Sequence, residues 1–129
     1  MISTYGLTHI ALPVKDVRRT AAFYEKVFGC CIMYDHGNFI QVQTPGSRDI
    51  IVFEQSPIPS DLQNVHYGFR LMKQEDPEQL AETILSAGGT IKEKGHFASG
   101  EPYIFFYDPD GYMVEVFYEN IPGTLKDFN

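Results

Sequence analysis

Two histidines and one glutamate have the side-chain chemistry for a metal site: His9, His66 and Glu115. Imidazole and carboxylate groups together bind divalent iron, manganese, nickel, cobalt or zinc. A set of three protein ligands without thiolates leaves coordination positions open for a substrate, which is typical of a catalytic site rather than a structural one. Each residue also has an ordinary alternative role, since strand histidines are commonly hydrogen-bonded core or rim residues.

Glu115 lies in the segment Met113-Val-Glu-Val-Phe117, which reads as the second strand of a hairpin because a Pro-Asp-Gly turn precedes it. Side chains alternate between the two faces of a strand, so Glu115 shares its face with Met113 and Phe117. Two interpretations are open. Either that face is wet and Glu115 is solvated, or the face is buried and the carboxylate requires a cation.

The chain reads as two copies of one pattern, in which a strand is followed by a helix and three more strands. The first helix is predicted over residues 17–28, with Asp16 as its N-cap and Gly29 as its stop. The second helix begins at Pro77 and ends at Gly88. Strands are predicted at residues 6–14, 30–36, 38–44, 49–54, 65–72, 90–95, 102–108 and 112–119.

The repeat relates the candidate ligands to one another. His66 follows His9 by 57 positions, and both lie on the first strand of their half. The hairpin turns of the two halves are 64 positions apart, and that spacing makes Ile51 the counterpart of Glu115. Three of four equivalent positions therefore carry metal-binding side chains. We interpret them as a facial set of two histidines and one carboxylate around one divalent ion.

The composition fits one domain over residues 1–129, with modules at about 5–55 and 65–120 and a linker at 56–64. The net charge of −7 argues against nucleic acid or an anionic membrane as a partner. No apolar run is long enough to span a membrane, and the N-terminus lacks the features of a signal peptide, so we expect a cytoplasmic protein. The adjacent cysteines, Cys30 and Cys31, are predicted to be reduced thiols.

With these features the chain resembles the vicinal oxygen chelate superfamily, also called the glyoxalase/bleomycin resistance/dioxygenase group. The resemblance is carried by Leu7-Thr-His9-Ile-Ala-Leu, Asp16, Phe23-Tyr-Glu-Lys-Val-Phe-Gly29, His66-Tyr-Gly-Phe, Ala87-Gly-Gly and Asp108-Pro-Asp-Gly followed by Glu115. It implies two βαβββ modules that form an eight-stranded cup, usually in a homodimer. It also implies a metal ion at His9, His66 and Glu115 that chelates adjacent oxygens of a small substrate.

The individual branches of the superfamily match this chain unequally. The fourth metal ligand of glyoxalase I would fall on Ile51, which cannot bind a metal. The catalytic tyrosine of extradiol dioxygenases would fall on Phe105, which cannot donate a proton. The fosfomycin-resistance enzymes also use two histidines and one glutamate, and the chain is similar to them around Ser99-Gly-Glu-Pro-Tyr-Ile-Phe-Phe-Tyr107. Their phosphonate-binding arginine would fall near Thr124, although Arg70 offers an alternative.

The sequence therefore predicts a metal-dependent lyase, transferase or dioxygenase that acts on a small oxygenated substrate, either anionic or thiol-conjugated. Glu115, Arg70 and Tyr103 are the candidates for catalytic roles, and further candidates are Tyr67, Tyr107, Glu101 and His96, the last two in a loop at residues 95–102. One alternative is a non-catalytic protein that binds a small aromatic or antibiotic molecule. Another is a site shared by a dimer, in which His9 of one subunit completes the set of the other.

Overall fold

The structure is a computed structural model that describes residues 1–4, 6–62 and 65–118. The elements in chain order are β1 (Ile10–Val14), α1 (Val17–Phe28), β2 (Cys31–Asp35), β3 (Phe39–Gln43), β4 (Ile51–Gln55), β5 (His66–Arg70), α2 (Pro77–Ala87), β6 (Thr90–His96), β7 (Pro102–Tyr107) and β8 (Met113–Phe117). The predicted fold class is confirmed: this is an α+β protein with two βαβββ modules. The eight strands form two four-stranded sheets, ordered β1-β4-β3-β2 and β5-β8-β7-β6.

The helices begin and end where the sequence predicts. The Asp16 side chain accepts hydrogen bonds from the backbone N–H groups at the start of α1, and Gly29 ends the helix with φ of 70°. In α2, Asp76 caps the first turn and Gly88 ends the helix with φ of 106°. These caps are local signals, so the positions could be predicted without knowledge of the tertiary fold.

The first strand is shorter than predicted. The sequence predicts a strand from residue 6, but β1 begins at Ile10 because its one partner strand, β4, begins at Ile51, the residue paired with Ile10. His9 thus lies just before β1 rather than within it. The predicted end of the last strand at residue 119 and the position of Thr124 lie outside the described residues.

Each sheet turns one face toward the helices and a core that both modules share. The core residues of the strands alternate with outward-facing residues, as period-two patterning requires. The buried core contains Val14, Val17, Ala21, Phe23, Tyr24, Cys30, Ile40, Val42, Ile51, Phe53, Ala81, Ile84, Ile104, Phe106, Tyr112, Val114 and Val116. No helix in the described part of the chain is long and apolar enough to cross a membrane.

The strand register corrects the predicted counterpart of Glu115. In the second module Gly68, two residues after His66, pairs with Glu115. In the first module Ala11, two residues after His9, pairs with Val52. Val52 is therefore the residue equivalent to Glu115, and the prediction of Ile51 is wrong.

The cause is the length of the connection between the last two strands of each module. In the first module eight residues separate the paired Val42 and Ile51, whereas in the second module seven separate the equivalent pair, Phe106 and Val114. Equivalent residues of the two modules are therefore 64 positions apart before this connection, as in Val42 and Phe106, and 63 positions apart after it, as in Ile51 and Val114. A shift of one residue moves every side chain to the opposite face of a strand, and Ile51 accordingly lies in the core. Val52, like Ile51, cannot bind a metal.

A buried hydrogen-bond network joins the two modules. The Tyr24 hydroxyl of α1 donates to Asp108 Oδ2 at 2.8 Å and is hydrogen-bonded to the Tyr67 hydroxyl of β5. Asp108 Oδ1 accepts from the backbone N–H groups of Asp110 and Tyr112 at 2.9 and 3.0 Å. Burial raises the pKa of the Asp108 carboxyl, and the hydrogen bond from Tyr24 opposes that shift. The network ties the turn before β8 to both α1 and β5.

Replacing Tyr24 with phenylalanine tests this network. The change removes the donor to Asp108 and the partner of Tyr67, and buried polar groups that lose their partners cost about 1–3 kcal/mol. We therefore expect Tyr24→Phe to lower the free energy of unfolding by that amount in urea denaturation. The matched control is Tyr34→Phe, at a side chain that is 49% exposed. Equal losses in the two variants would show that the network contributes nothing specific.

Candidate functional site

One face of the second sheet points away from the shared core and collects the candidate functional residues; we call it the open face. Its members alternate with core residues along three strands. They are His66, Gly68 and Arg70 of β5, Tyr103, Phe105 and Tyr107 of β7, and Met113, Glu115 and Phe117 of β8. The open face therefore combines a histidine, a carboxylate and a cation with an aromatic lining.

His66 and Glu115 form the centre of this face. His66 Nε2 lies 3.8 Å from Glu115 Oε1, and the imidazole packs edge-on against Phe105 with ring centroids 5.6 Å apart. The Glu115 side chain is 18% exposed. Burial raises the pKa of its carboxyl, and the charge of His66 opposes that shift. A carboxylate in these partly dry surroundings favours the interpretation that Glu115 requires a cation.

Gly68 is a site residue that the sequence did not single out. It pairs with Glu115 across the parallel strands, and a Cβ atom there would lie 3.1 Å from the Glu115 carbonyl oxygen and 3.6 Å from its Cβ. That separation from the carbonyl is shorter than a side-chain carbon normally tolerates. Glycine thus leaves space beside the carboxylate. The strand register alone reveals this requirement.

His9 is not part of this cluster within one chain. It is exposed, and its Nδ1 shares a hydrogen bond of 2.5 Å with Thr8 Oγ1. It lines a cleft of about 540 Å³, to which Gly68 and Arg70 also contribute. Among the described residues, no three histidine, cysteine, aspartate or glutamate side chains come together in a set that could hold a metal ion. The structure brings together two of the three predicted ligands, His66 and Glu115.

The two other predicted catalytic residues also lie on the open face. Arg70 is on the same strand and the same face as His66 and lines the cleft beside His9. The Tyr103 hydroxyl donates to Glu93 Oε1 at 2.8 Å, and this hydrogen bond raises the pKa of Tyr103. Arg70 therefore contributes a cationic side chain to the cleft, and Tyr103 is held in its neutral form by an acceptor.

The remaining candidate residues make no described contact with His66 or Glu115. Tyr67 points to the opposite side of β5, into the network with Tyr24, and burial raises its pKa. Glu101 is hydrogen-bonded to Ser99 in the turn between β6 and β7. That turn is shorter than the predicted loop at residues 95–102, because β6 extends through His96. Tyr107 is on the open face at the far end of β7 from Tyr103.

Comparison with known proteins identifies the family. Residues 6–116 match the family model of the Glyoxalase/Bleomycin resistance protein/Dioxygenase superfamily. The chain belongs to this superfamily, and the resemblance inferred from its motifs is confirmed.

Two similar proteins have names that refer to different activities. The fosfomycin resistance protein FosX of Listeria monocytogenes is 28% identical over 96% of this chain and 97% of its own length. A probable lactoylglutathione lyase of Vibrio cholerae is 26% identical over 89% of this chain and 91% of its own length. Both relatives are matched over nearly their whole length.

Two solved structures show the same fold. A variant of the Listeria monocytogenes FosX, complexed with Mn(II) and dihydroxypropylphosphonic acid, superposes with a TM-score of 0.78 at 26% identity and covers 100% of each chain. FosX from Mesorhizobium loti superposes with a TM-score of 0.76 at 21% identity, over 97% of this chain and 99% of the other.

The contact between His66 and Glu115 predicts a titration behaviour. The Glu115 carboxyl should titrate above its ordinary pKa because it is partly buried. Replacing His66 with alanine removes the charge that favours the carboxylate, so the pKa of Glu115 should rise further. The measurement is a titration of the glutamate carboxyl carbons by NMR. His36→Ala, in the connection between β2 and β3, should leave the Glu115 curve unchanged, and an unchanged curve in His66→Ala would contradict the contact.

Proposed function

We propose that this protein is a divalent-metal-dependent enzyme that holds a small substrate through two adjacent substrate oxygens. The observation that carries the proposal is the pairing of His66 and Glu115 on a partly dry face. Their donor atoms are 3.8 Å apart, which is less than twice the metal–ligand distance of about 2.1 Å. One nitrogen and one oxygen donor at this separation fit two ligands of a single divalent ion.

The relatives support this assignment and narrow the substrate class. A variant of the Listeria monocytogenes FosX was crystallised with Mn(II) and dihydroxypropylphosphonic acid, a compound with two hydroxyl groups and an anionic phosphonate. Val52 gives this chain no fourth ligand of the glyoxalase I kind, and Phe105 gives it no tyrosine of the extradiol dioxygenase kind. A reaction of the fosfomycin-resistance type, in which a nucleophile adds to a small oxygenated substrate, fits the residues better than either.

The residues of the open face have separate roles in this proposal. His66 and Glu115 would hold the ion, which when bound supplies a Lewis acid for the negative charge that develops on a substrate oxygen. Arg70 would attract an anionic substrate into the cleft. Phe105 and Phe117 would limit the access of water to the bound substrate, which strengthens the electrostatic interactions inside the site. Tyr103, neutral and hydrogen-bonded to Glu93, would orient the substrate.

The third ligand, His9, would come from a second copy of the chain. His9 is exposed and lacks two further ligands among the described residues of its own chain. The first sheet exposes Ile32, Met33 and Tyr34 on its edge strand at 48%, 59% and 49%. Exposed apolar residues of this kind are typical of a surface that is covered in an oligomer. In a two-fold symmetric homodimer, each His9 could reach the His66–Glu115 pair of the partner, giving two shared sites.

A second candidate function is non-catalytic binding of a small aromatic molecule. The observation that favours it is the aromatic lining of the open face, where Tyr103 packs edge-on against Phe105 with ring centroids 5.9 Å apart. Such rings offer stacking surfaces for a ligand. This candidate predicts that ligand affinity is independent of divalent metal, so metal analysis separates the two functions.

Metal binding provides the direct test of the enzyme proposal. We expect the protein to bind Mn(II), and His66→Ala or Glu115→Gln to weaken that binding by about 100-fold or more, since even outer-sphere changes cost 10- to 100-fold. The readouts are elemental analysis and the electron paramagnetic resonance signal of free Mn(II). His96→Ala, at the exposed end of β6, is the control and should bind normally. Full metal content in Glu115→Gln would restore the interpretation of a solvated carboxylate.

Mixed dimers distinguish a shared site from one within a subunit. His9→Ala and Glu115→Gln chains, co-expressed with different tags, should each bind no metal as homodimers. In the hybrid, a shared arrangement leaves one site with all three ligands intact, so the hybrid should bind one ion per dimer. A site within each subunit would lose a ligand in both chains, and a hybrid without metal would refute the shared site.

A further inference from the structure

A β-bulge in β6 changes the direction of one side chain next to the candidate site. Ile91 pairs with Phe106 and Glu93 pairs with Phe105, which are neighbours in β7, so Lys92 is an extra residue between the two pairs. A bulge leaves its extra residue unpaired and re-aims the side chains around it. Lys92 is the residue whose position this bulge determines.

The neighbouring lysine shows the effect of the bulge. Residues two apart in a regular strand share a face, so Lys92 and Lys94 would point the same way without it. Lys94 Nζ instead lies 3.5 Å from Glu78 of α2, on the helix side of the sheet. Lys92 Nζ lies 3.5 Å from Met113 Sδ and 5.8 Å from the centre of the Phe105 ring, both on the open face. Because of the bulge, Lys92 points to the open face and Lys94 points to the helix side of the sheet.

The Lys92 ammonium contacts two residues that adjoin the His66–Glu115 pair. Met113 precedes Glu115 by two residues on β8, and Phe105 pairs directly with Glu115 and contacts His66. Among the described residues, no carboxylate lies within ion-pair distance of Lys92 Nζ. A thioether and the face of a ring leave the ammonium able to donate to an anion.

The bulge itself belongs to the fold, whereas the lysine is particular to one module. The first module has a register shift at the equivalent place, between Ile32 and Tyr34, and Met33 occupies its extra position. Met33 and Lys92 are 59 positions apart, the same spacing as the two glycines that end the helices. The backbone therefore presents this position in both modules, and only the second fills it with a cation.

We propose that Lys92 binds an anionic group of the substrate, a phosphonate, phosphate or carboxylate adjacent to the oxygens held at His66 and Glu115. The inference rests on the proposed function for the position of those oxygens. It assigns Lys92 as a residue that determines specificity for anionic substrates. An ion pair with a desolvated anion is a charge-assisted hydrogen bond, stronger than a neutral one.

The test compares the two lysines. Dihydroxypropylphosphonic acid is titrated into Mn(II)-loaded protein by calorimetry, with wild type, Lys92→Met, Lys92→Arg and Lys94→Met. Loss of a hydrogen bond between charged groups predicts an affinity about 10- to 100-fold lower in Lys92→Met. Lys92→Arg should recover most of that affinity, and Lys94→Met should bind like wild type. Mn(II) affinity, measured separately, should be the same in all four proteins.

Equal phosphonate affinity in Lys92→Met and wild type, or an equal loss in Lys94→Met, overturns the proposal. A loss of Mn(II) binding in Lys92→Met also overturns it, because the residue would then act on the metal site. If the wild-type protein binds no Mn(II), the proposed function fails and Lys92 is tested with inorganic phosphate on the metal-free protein. There, weaker binding in Lys92→Met but not in Lys94→Met supports the anion site, and equal binding refutes it.

Discussion

The parallel pairing of β5 with β8 is the constraint on which the open face depends. Parallel neighbours cannot be joined by a tight turn, so α2, β6 and β7 must intervene between them. The register then pairs Gly68 with Glu115 and brings His66 within 3.8 Å of that carboxylate. The first module builds the same parallel pair from β1 and β4, but Val52 occupies the matching position. The same scaffold thus carries a carboxylate at this position in the second module and an apolar side chain in the first.

The buried Asp108 network holds this pairing in place. Burying a carboxylate is costly, and three hydrogen bonds, one from Tyr24 and two from backbone N–H groups, offset that cost. Tyr24 also bonds Tyr67, the residue after His66, so the network joins α1 to the strand that carries the histidine. The interior of the protein therefore positions the side chains on its outer face.

Much of the fold could be predicted because its signals are local. Asp16 and Gly29, and their equivalents in α2, determine the helix ends by hydrogen bonding and backbone conformation within a few residues. The counterpart of Glu115 could not be predicted, since the length of a surface connection does not follow from strand patterning. The direction of Lys92 was missed for a similar reason: a bulge is a property of the strand pair. His66 and Glu115 could be grouped in advance because both lie on predicted strands of the second module that the structure confirms, whereas His9 precedes β1.

The matching bulges in the two modules have a consequence for how proteins of this architecture diversify. A bulge at Met33 and another at Lys92 indicate that the irregularity belongs to the backbone of the module rather than to the sequence of either half. Each copy then inherits a side chain that leaves the regular alternation and can change without disturbing the core. Charge, size or polarity at this position can change by one substitution at a time, independently of His66 and Glu115. The repeated module thus provides two variable positions of this kind, and in this chain one carries an apolar side chain, Met33, and the other a cation, Lys92.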